Sequence, residues 1–209
     1  MMRTSVGLLV CFMLCGAGSA WAQASGDPAW DAPIFLPPQA GDDIGLYLID
    51  PSGGDWAIAG IWRQSGNLNL GVRLRLADGR DETPFFFGAE FYEPLARAGR
   101  SFPLDASWVL GVGATLNGGT ALRFPVGVSV GRTFDADGIV FTPYAVPRLG
   151  IDLAADDGDT DTDLGFTVDL GADLHIDDSW LLRFGVALGD HDALGVGVAY
   201  RTGRRAVVR

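Results

Sequence analysis

Leu164-Gly165-Phe166-Thr167-Val168-Asp169-Leu170-Gly171-Ala172-Asp173-Leu174-His175-Ile176 alternates without a fault. One parity is apolar at all seven positions, and the other holds only Gly, Thr, Asp and His. Successive side chains of a strand point to opposite faces, so this stretch is a strand lying between two different solvents. The same rule governs Leu68, Leu70, Val72, Leu74 and Leu76 against Asn69, Gly71, Arg73 and Arg75. It recurs over Leu122, Phe124, Val126, Val128 and Val130 against Arg123, Gly127, Ser129 and Gly131, over Trp180 to Leu188 and over Leu194 to Tyr200.

Such segments number about ten, within a range of eight to twelve, near 43 to 50, 55 to 64, 67 to 77, 84 to 93, 106 to 117, 120 to 133, 138 to 154, 163 to 176, 179 to 189 and 193 to 201. The connections are rich in Gly, Asp, Ser and Pro, and nearly all are of hairpin length. Consecutive strands are therefore expected to pair antiparallel as a meander, with no crossover helix. Pro143 and Pro147 each remove a ladder hydrogen bond, so a bulge or break is expected near them.

An antiparallel meander closes either as a soluble barrel with the apolar face inside or as a membrane barrel with the apolar face toward lipid. The polar face decides. A face in open water carries abundant Lys, Glu and Thr, whereas here it is mostly Gly with scattered Arg, Asp and Glu, which suits a crowded lumen. The apolar face is free of charge along the best strands, as expected where a lipid-facing Arg costs about 2–4 kcal/mol at the midplane. Trp56, Trp62, Phe85, Trp108, Phe134, Trp180 and Tyr200 fall near strand ends, where an interfacial girdle belongs. The fold expected is all-β, a closed antiparallel up-and-down transmembrane β-barrel. The rival class is a periplasmic soluble β-barrel holding an apolar ligand.

Composition agrees. The chain has 209 residues, 30 of them Gly, and 15 basic residues, all Arg, against 26 acidic ones. A formal charge of -11 excludes a nucleic-acid binder built on a basic surface. The scattered Gly disfavours long helices, since each interior Gly costs about 1 kcal/mol there.

Residues 1–22 read as a secretory signal peptide: Arg3 supplies the basic start, Val6 to Ala17 the apolar run, and Ala20-Trp21-Ala22 the small residues at a cleavage site. Cys11 and Cys15 fall inside it, so the mature chain is expected to lack thiols. Residues 23–42, with Pro28, Pro33, Pro37 and Pro38, read as an extended leader without periodicity. The barrel is expected over 43–201, and 202–209 form a basic tail.

With a signal peptide, amphipathic strands and the closing segment Leu194-Gly195-Val196-Gly197-Val198-Ala199-Tyr200, the chain resembles small bacterial outer-membrane β-barrels of the OmpA/OmpX type over about Asp43 to Arg201. The closing segment is similar to that family's C-terminal assembly signal, although Arg201 to Arg209 follow the final aromatic. The resemblance implies an outer-membrane location, insertion by the barrel-assembly machinery and contact with outer-membrane lipid and lipopolysaccharide. With both chain ends periplasmic, the loops near 51–54, 77–83, 117–119, 156–163 and 190–192 are expected outside the cell.

Arg73, Arg75, Glu90, Arg123, Arg148, Asp152, Asp169, Asp173, Arg183 and Arg201 share the inward parity. Buried charges must pair, so they are expected to form an ion-pair network that fills the lumen or lines a narrow pore. The run Asp156 to Asp163 invites a calcium reading, but an EF-hand loop needs Gly where Thr162 stands and Glu where Val168 stands. Asp157, Asp159, Asp161 and Asp163 are at most a weak divalent site shared with lipopolysaccharide phosphates, and a solvated loop is the plainer expectation. His191 lies between Asp190 and Asp192, but no Ser motif accompanies it, so neither an enzyme nor a cofactor is expected. The function expected is a structural barrel or a narrow small-solute pore with a charged lumen, with a lipid-modifying enzyme as the lesser alternative.

Overall fold

The computed structural model describes residues 29–51, 56–66, 69–78, 83–117, 119–156 and 159–203. The expected signal peptide, the first part of the leader and most of the basic tail lie outside the described residues. The strands are β1 (Asp43–Pro51), β2 (Ala57–Gln64), β3 (Leu70–Ala77), β4 (Phe85–Ala96), β5 (Asp105–Asn117), β6 (Gly119–Gly131), β7 (Phe134–Ala136), β8 (Ile139–Asp156), β9 (Asp159–His175), β10 (Trp180–Gly189) and β11 (Ala193–Arg201).

From β1 to β6 each strand pairs antiparallel with the next, β6 pairs with β8, and β8 to β11 follow in order. The pairing of β1 with β11, from Asp43↔Arg201 to Pro51↔Ala193, closes the ring. The result is a closed ten-stranded antiparallel barrel. β7, three residues long, pairs only with the start of β8 and takes no part in the ring. Closure leaves no strand edge, the condition for a sheet to stand in hydrocarbon, where an unpaired backbone group finds no water.

Burial follows the sequence period. β1 and β2 are buried and exposed at strictly alternate residues. The outward set is large and apolar: Leu46 is 60% exposed, Leu164 66% and Leu194 59%. The inward set includes Arg73, Arg75, Arg148 and Arg183, all fully buried. A soluble barrel requires the reverse arrangement. Trp62, Trp180, Tyr200 and Phe134 stand near the rim where β1 begins and β11 ends, and Trp56 near the other. At the first rim Trp180 meets its cross-strand partner Tyr200 edge-on at 5.1 Å, and Phe134 stacks on Phe141 at 5.4 Å.

One local expectation holds in part and another is corrected. β8 runs as one strand through Pro143 and Pro147, but its ladder is broken beside Pro147. Its pairing with β6 skips the residues opposite Val146 and Pro147 and resumes at Val130↔Ala145 in the same register. Pro147 points its missing donor toward that gap, while Pro143 lies beyond the last β6 pair, Gly131↔Tyr144. The one register shift at a proline lies instead in β4, between Pro94 and Ala96. The acidic run 156–163 is also not a long loop: Asp156 pairs with Asp159 and Asp152 with Asp163, so strands extend through most of it. Alternating Asp and Thr are compatible with strand wherever both faces meet water.

The β9–β10 turn is tied by Asp177, whose carboxylate accepts hydrogen bonds from the Ser179 amide at 2.6 Å and the Trp180 amide at 2.7 Å. Those donors hold its pKa below the ordinary carboxylate value. A depressed pKa means that the contribution is present above the unfolded pKa and is lost as pH falls through the folded one. Protection of the Ser179 and Trp180 amides, measured against their intrinsic exchange rates, should therefore persist at neutral pH and be lost only on acidification below the usual Asp range. For the whole barrel, detergent-extracted protein should migrate differently on SDS gels before and after boiling. Extraction without detergent and unshifted migration would contradict the membrane fold.

Candidate functional site in the barrel lumen

The lumen is filled by the chain's own leader. Residues 29–38 are buried without exception, and the segment leads through Gln39 to Asp42 into β1 at the first rim. Its side chains fit the wall by size. Trp30 lies against Gly88, Gly111 and Gly113, and a Cβ added at Gly113 would stand 2.5 Å from the indole. Phe35 occupies the space over Gly185 and Gly195 and stacks on Tyr47 at 4.5 Å. Ile34 and Leu36 join Tyr92, Val109, Tyr144 and Val146 in one buried cluster. Trp30 and Phe35 join Ile49, Ala59, Ile61 and Phe86 in another. Gly88, Gly113, Gly185 and Gly195 are thus sockets for the plug's aromatic side chains. A single methyl at such a site forces backbone or ring to move in an interior packed as tightly as a crystal.

The backbone of this plug is gripped mostly by guanidinium groups. Arg73 donates to the Pro33 carbonyl at 2.6 Å and to the Ile34 carbonyl, which also accepts from Arg63 at 3.2 Å. Arg75 donates to the Ala29 carbonyl at 3.0 Å and the Ala32 carbonyl at 3.4 Å, with its guanidinium 4.8 Å from the Phe86 ring centre. Ser129 donates to the Leu36 carbonyl at 2.7 Å, and the Ile34 amide donates to Asp169 at 3.1 Å. Asp31, fully buried, sets one carboxylate oxygen 3.1 Å from Arg123 Nε and the other against Arg148 Nη1.

Around the plug the wall is cross-linked by charge. Arg148 donates to Asp169 at 2.5 Å, and Arg123 pairs with Asp152. Arg63 pairs with Glu90 at 2.8 Å and Asp43 at 3.5 Å, and Arg73 reaches Glu90 at 3.5 Å. Arg183 grips Asp173 with two bonds of 2.7 Å and reaches Asp43 at 3.1 Å and the Tyr47 hydroxyl at 2.9 Å. Breaking one partner out of such a buried pair costs about 3–5 kcal/mol, because the other charge is left without compensation.

Of the ten inward-parity charges named from the sequence, nine lie on this wall: Arg73, Arg75, Glu90, Arg123, Arg148, Asp152, Asp169, Asp173 and Arg183. Arg201 stands apart at the first rim, beside His175 with 2.7 Å to Nδ1. Three members escaped the sequence reading: Arg63, Asp43 and Asp31. The first two follow from carrying the period-two parity to the strand ends, through Ala57, Ala59 and Ile61 to Arg63 and from Tyr47 back to Asp43. Asp31 has no such signal, since the plug has neither strand nor helix period.

His191 Nε2 lies 3.4 Å from Asp152, itself held by Arg123, so its ring is tied to the charge network. Of the weak divalent candidates, Asp157 lies outside the described residues, as does the side chain of Asp159, while Asp161 and Asp163 are exposed. Among the described residues no group of three or more His, Cys, Asp or Glu is placed to hold a metal. Cavities of about 450 and 250 Å³ open at the first rim, one beside Asp173, His175 and Arg183 and the other beside Tyr92 and Ser107. Gln39 and Ala40 border both, so each ends against the plug.

No protein-family model and no curated protein matches the chain. Solved structures similar to it include the KdgM porin, at 10% identity and TM-score 0.40 over 77% of this chain and 99% of that one. A de novo designed transmembrane β-barrel is 15% identical with TM-score 0.36, covering 78% and 97%. Neisserial surface protein A is 12% identical with TM-score 0.31, covering 76% and 93%. No residue role or ligand is carried from them to this chain.

The socket geometry generates a paired prediction. Gly113→Ala should lower barrel stability by about 1–3 kcal/mol, because the new methyl meets Trp30. Gly60→Ala, where nothing lies within 4 Å, should change it by less than about 0.5 kcal/mol. Urea unfolding in lipid or detergent compares the two, and equal effects would refute the socket.

Proposed function

We propose that this chain is an outer-membrane β-barrel of the cell envelope that is closed at rest by its own N-terminal segment, a structural barrel rather than an open pore. Export by residues 1–22, insertion by the barrel-assembly machinery, contact with lipopolysaccharide and exposure of the 190–192 connection to the cell exterior belong to the same reading. The observation that carries it is the complete burial of residues 29–38 inside a ten-stranded ring. A barrel of this strand number is only slightly wider than the eight-stranded kind that side chains alone fill. A strand-length segment with a Trp and a Phe, buried throughout, takes up that remaining width. Chemistry on lipids or peptides finds no support in the site, where the charged groups are engaged in pairing with one another and with the plug.

Purified full-length protein in planar lipid bilayers should be electrically silent. Trp30→Ala, which removes the plug's bulkiest side chain and leaves every charged side chain in place, should introduce discrete openings. Sustained unitary conductance from the unaltered chain would overturn the closed-barrel reading in favour of a narrow pore.

A further inference from the structure

The plug is held as a ligand is held. Its carbonyl oxygens are met by Arg63, Arg73 and Arg75, and its only carboxylate among the described residues is met by Arg123 and Arg148. The described lumen wall carries six buried guanidinium groups, Arg63, Arg73, Arg75, Arg123, Arg148 and Arg183. They face five carboxylates, Asp43, Glu90, Asp152, Asp169 and Asp173, and Asp31 of the plug is the sixth. Each oxygen of Asp31 faces a different arginine: one accepts a hydrogen bond from Arg148, and the other lies 3.1 Å from Arg123 Nε as an ion-pair contact outside hydrogen-bond geometry. Those arginines are anchored from behind, Arg123 by Asp152 and Arg148 by Asp169, so their positions do not depend on Asp31 alone. Two guanidiniums fixed by their own partners and converging on one carboxylate form a preorganised receptor for that group.

We propose that Arg123 and Arg148 form a carboxylate-binding site on the lumen wall, filled in the closed state by the plug's own Asp31 and able to take a soluble monocarboxylate when that side chain is gone. The proposal rests on the closed-barrel reading and names the ligand class of that same lumen. The chemistry selected is a carboxylate with oxygen acceptors beside it, since Arg73 and Arg75 meet plug carbonyls within the same segment. Chloride has one centre of charge and cannot present separate oxygens to both arginines.

The test is chemical rescue of the full-length Asp31→Ala variant by acetate, the side-chain group that the substitution removes. The readout is the midpoint temperature at which the folded band is lost on unboiled SDS gels. Asp31→Ala should show a lowered midpoint, and added sodium acetate should raise it in a saturating manner beyond sodium chloride of equal ionic strength. The unaltered protein, whose site is filled, should respond to the two salts alike. Equal responses of Asp31→Ala to acetate and chloride would overturn the site. So would an acetate effect of the same size in the unaltered protein, which would mark a general salt effect. If Asp31→Ala does not survive purification, its refolding yield into detergent is measured in the two salts, and equal yields overturn the proposal. Silent bilayers with no acetate preference would remove the carboxylate site and leave the closed barrel standing, whereas conductance from the unaltered chain would remove the closed barrel itself.

Discussion

The structure depends on compensating guanidinium charge buried inside the barrel. Six arginines point into a ring closed to lipid on the outside, where an uncompensated ion costs several kcal/mol even after relaxation. Carboxylates from neighbouring strands supply most of the compensation, and the plug supplies the remainder through Asp31 and a run of carbonyl groups. Buried ion pairs are a poor source of net stability, but breaking one is costly, because the remaining charge is left alone. Strand register and plug position are thereby set together: moving either one by a residue breaks several pairs at once.

Packing imposes the complementary constraint. The plug brings Trp30, Ile34, Phe35 and Leu36 into a space that an ordinary inward-facing set of side chains would already fill. The wall answers with glycine where the rings lie, at Gly88, Gly113, Gly185 and Gly195, and with Ala57, Ala59, Ala187 and Ala193 around them. Glycine weakens a strand, so its concentration on one face is explained by what that face must accommodate. Outside, the residues that carry the period are large and apolar, and the aromatic ones gather near the rims.

The barrel was legible because period two is a local property that each strand displays by itself. Most strand limits fall within a few residues of those expected, and the inward charges could be named because parity assigns a face without any knowledge of neighbours. Parity gives no information on how neighbouring strands pair. Pro147 is tolerated because its missing donor faces a gap in the β6–β8 pairing, which depends on the partner strand. The Asp156 to Asp163 run extends two strands, because pairing between them continues past the residues whose composition suggests a loop. Signs of the plug were present but indirect. Apart from Asp43 and Arg63 at their ends, β1 and β2 are apolar or Gly on the inward face as well, which an aqueous lumen does not require, and Trp30-Asp31-Ala32-Pro33-Ile34-Phe35-Leu36 is too apolar for a solvated leader.

By itself the sequence determined an all-β chain of about ten amphipathic strands, the face that meets lipid and the charges that face inward, since alternation and charge are written residue by residue. Only the tertiary structure decided which arginine meets which carboxylate, and that the leader fills the lumen. Those pairings join residues as far apart as Asp31 and Arg148, and no local pattern encodes a contact made across a barrel. A segment of irregular backbone has no period to reveal its neighbours, and its place is defined only by the socket and the charges that receive it.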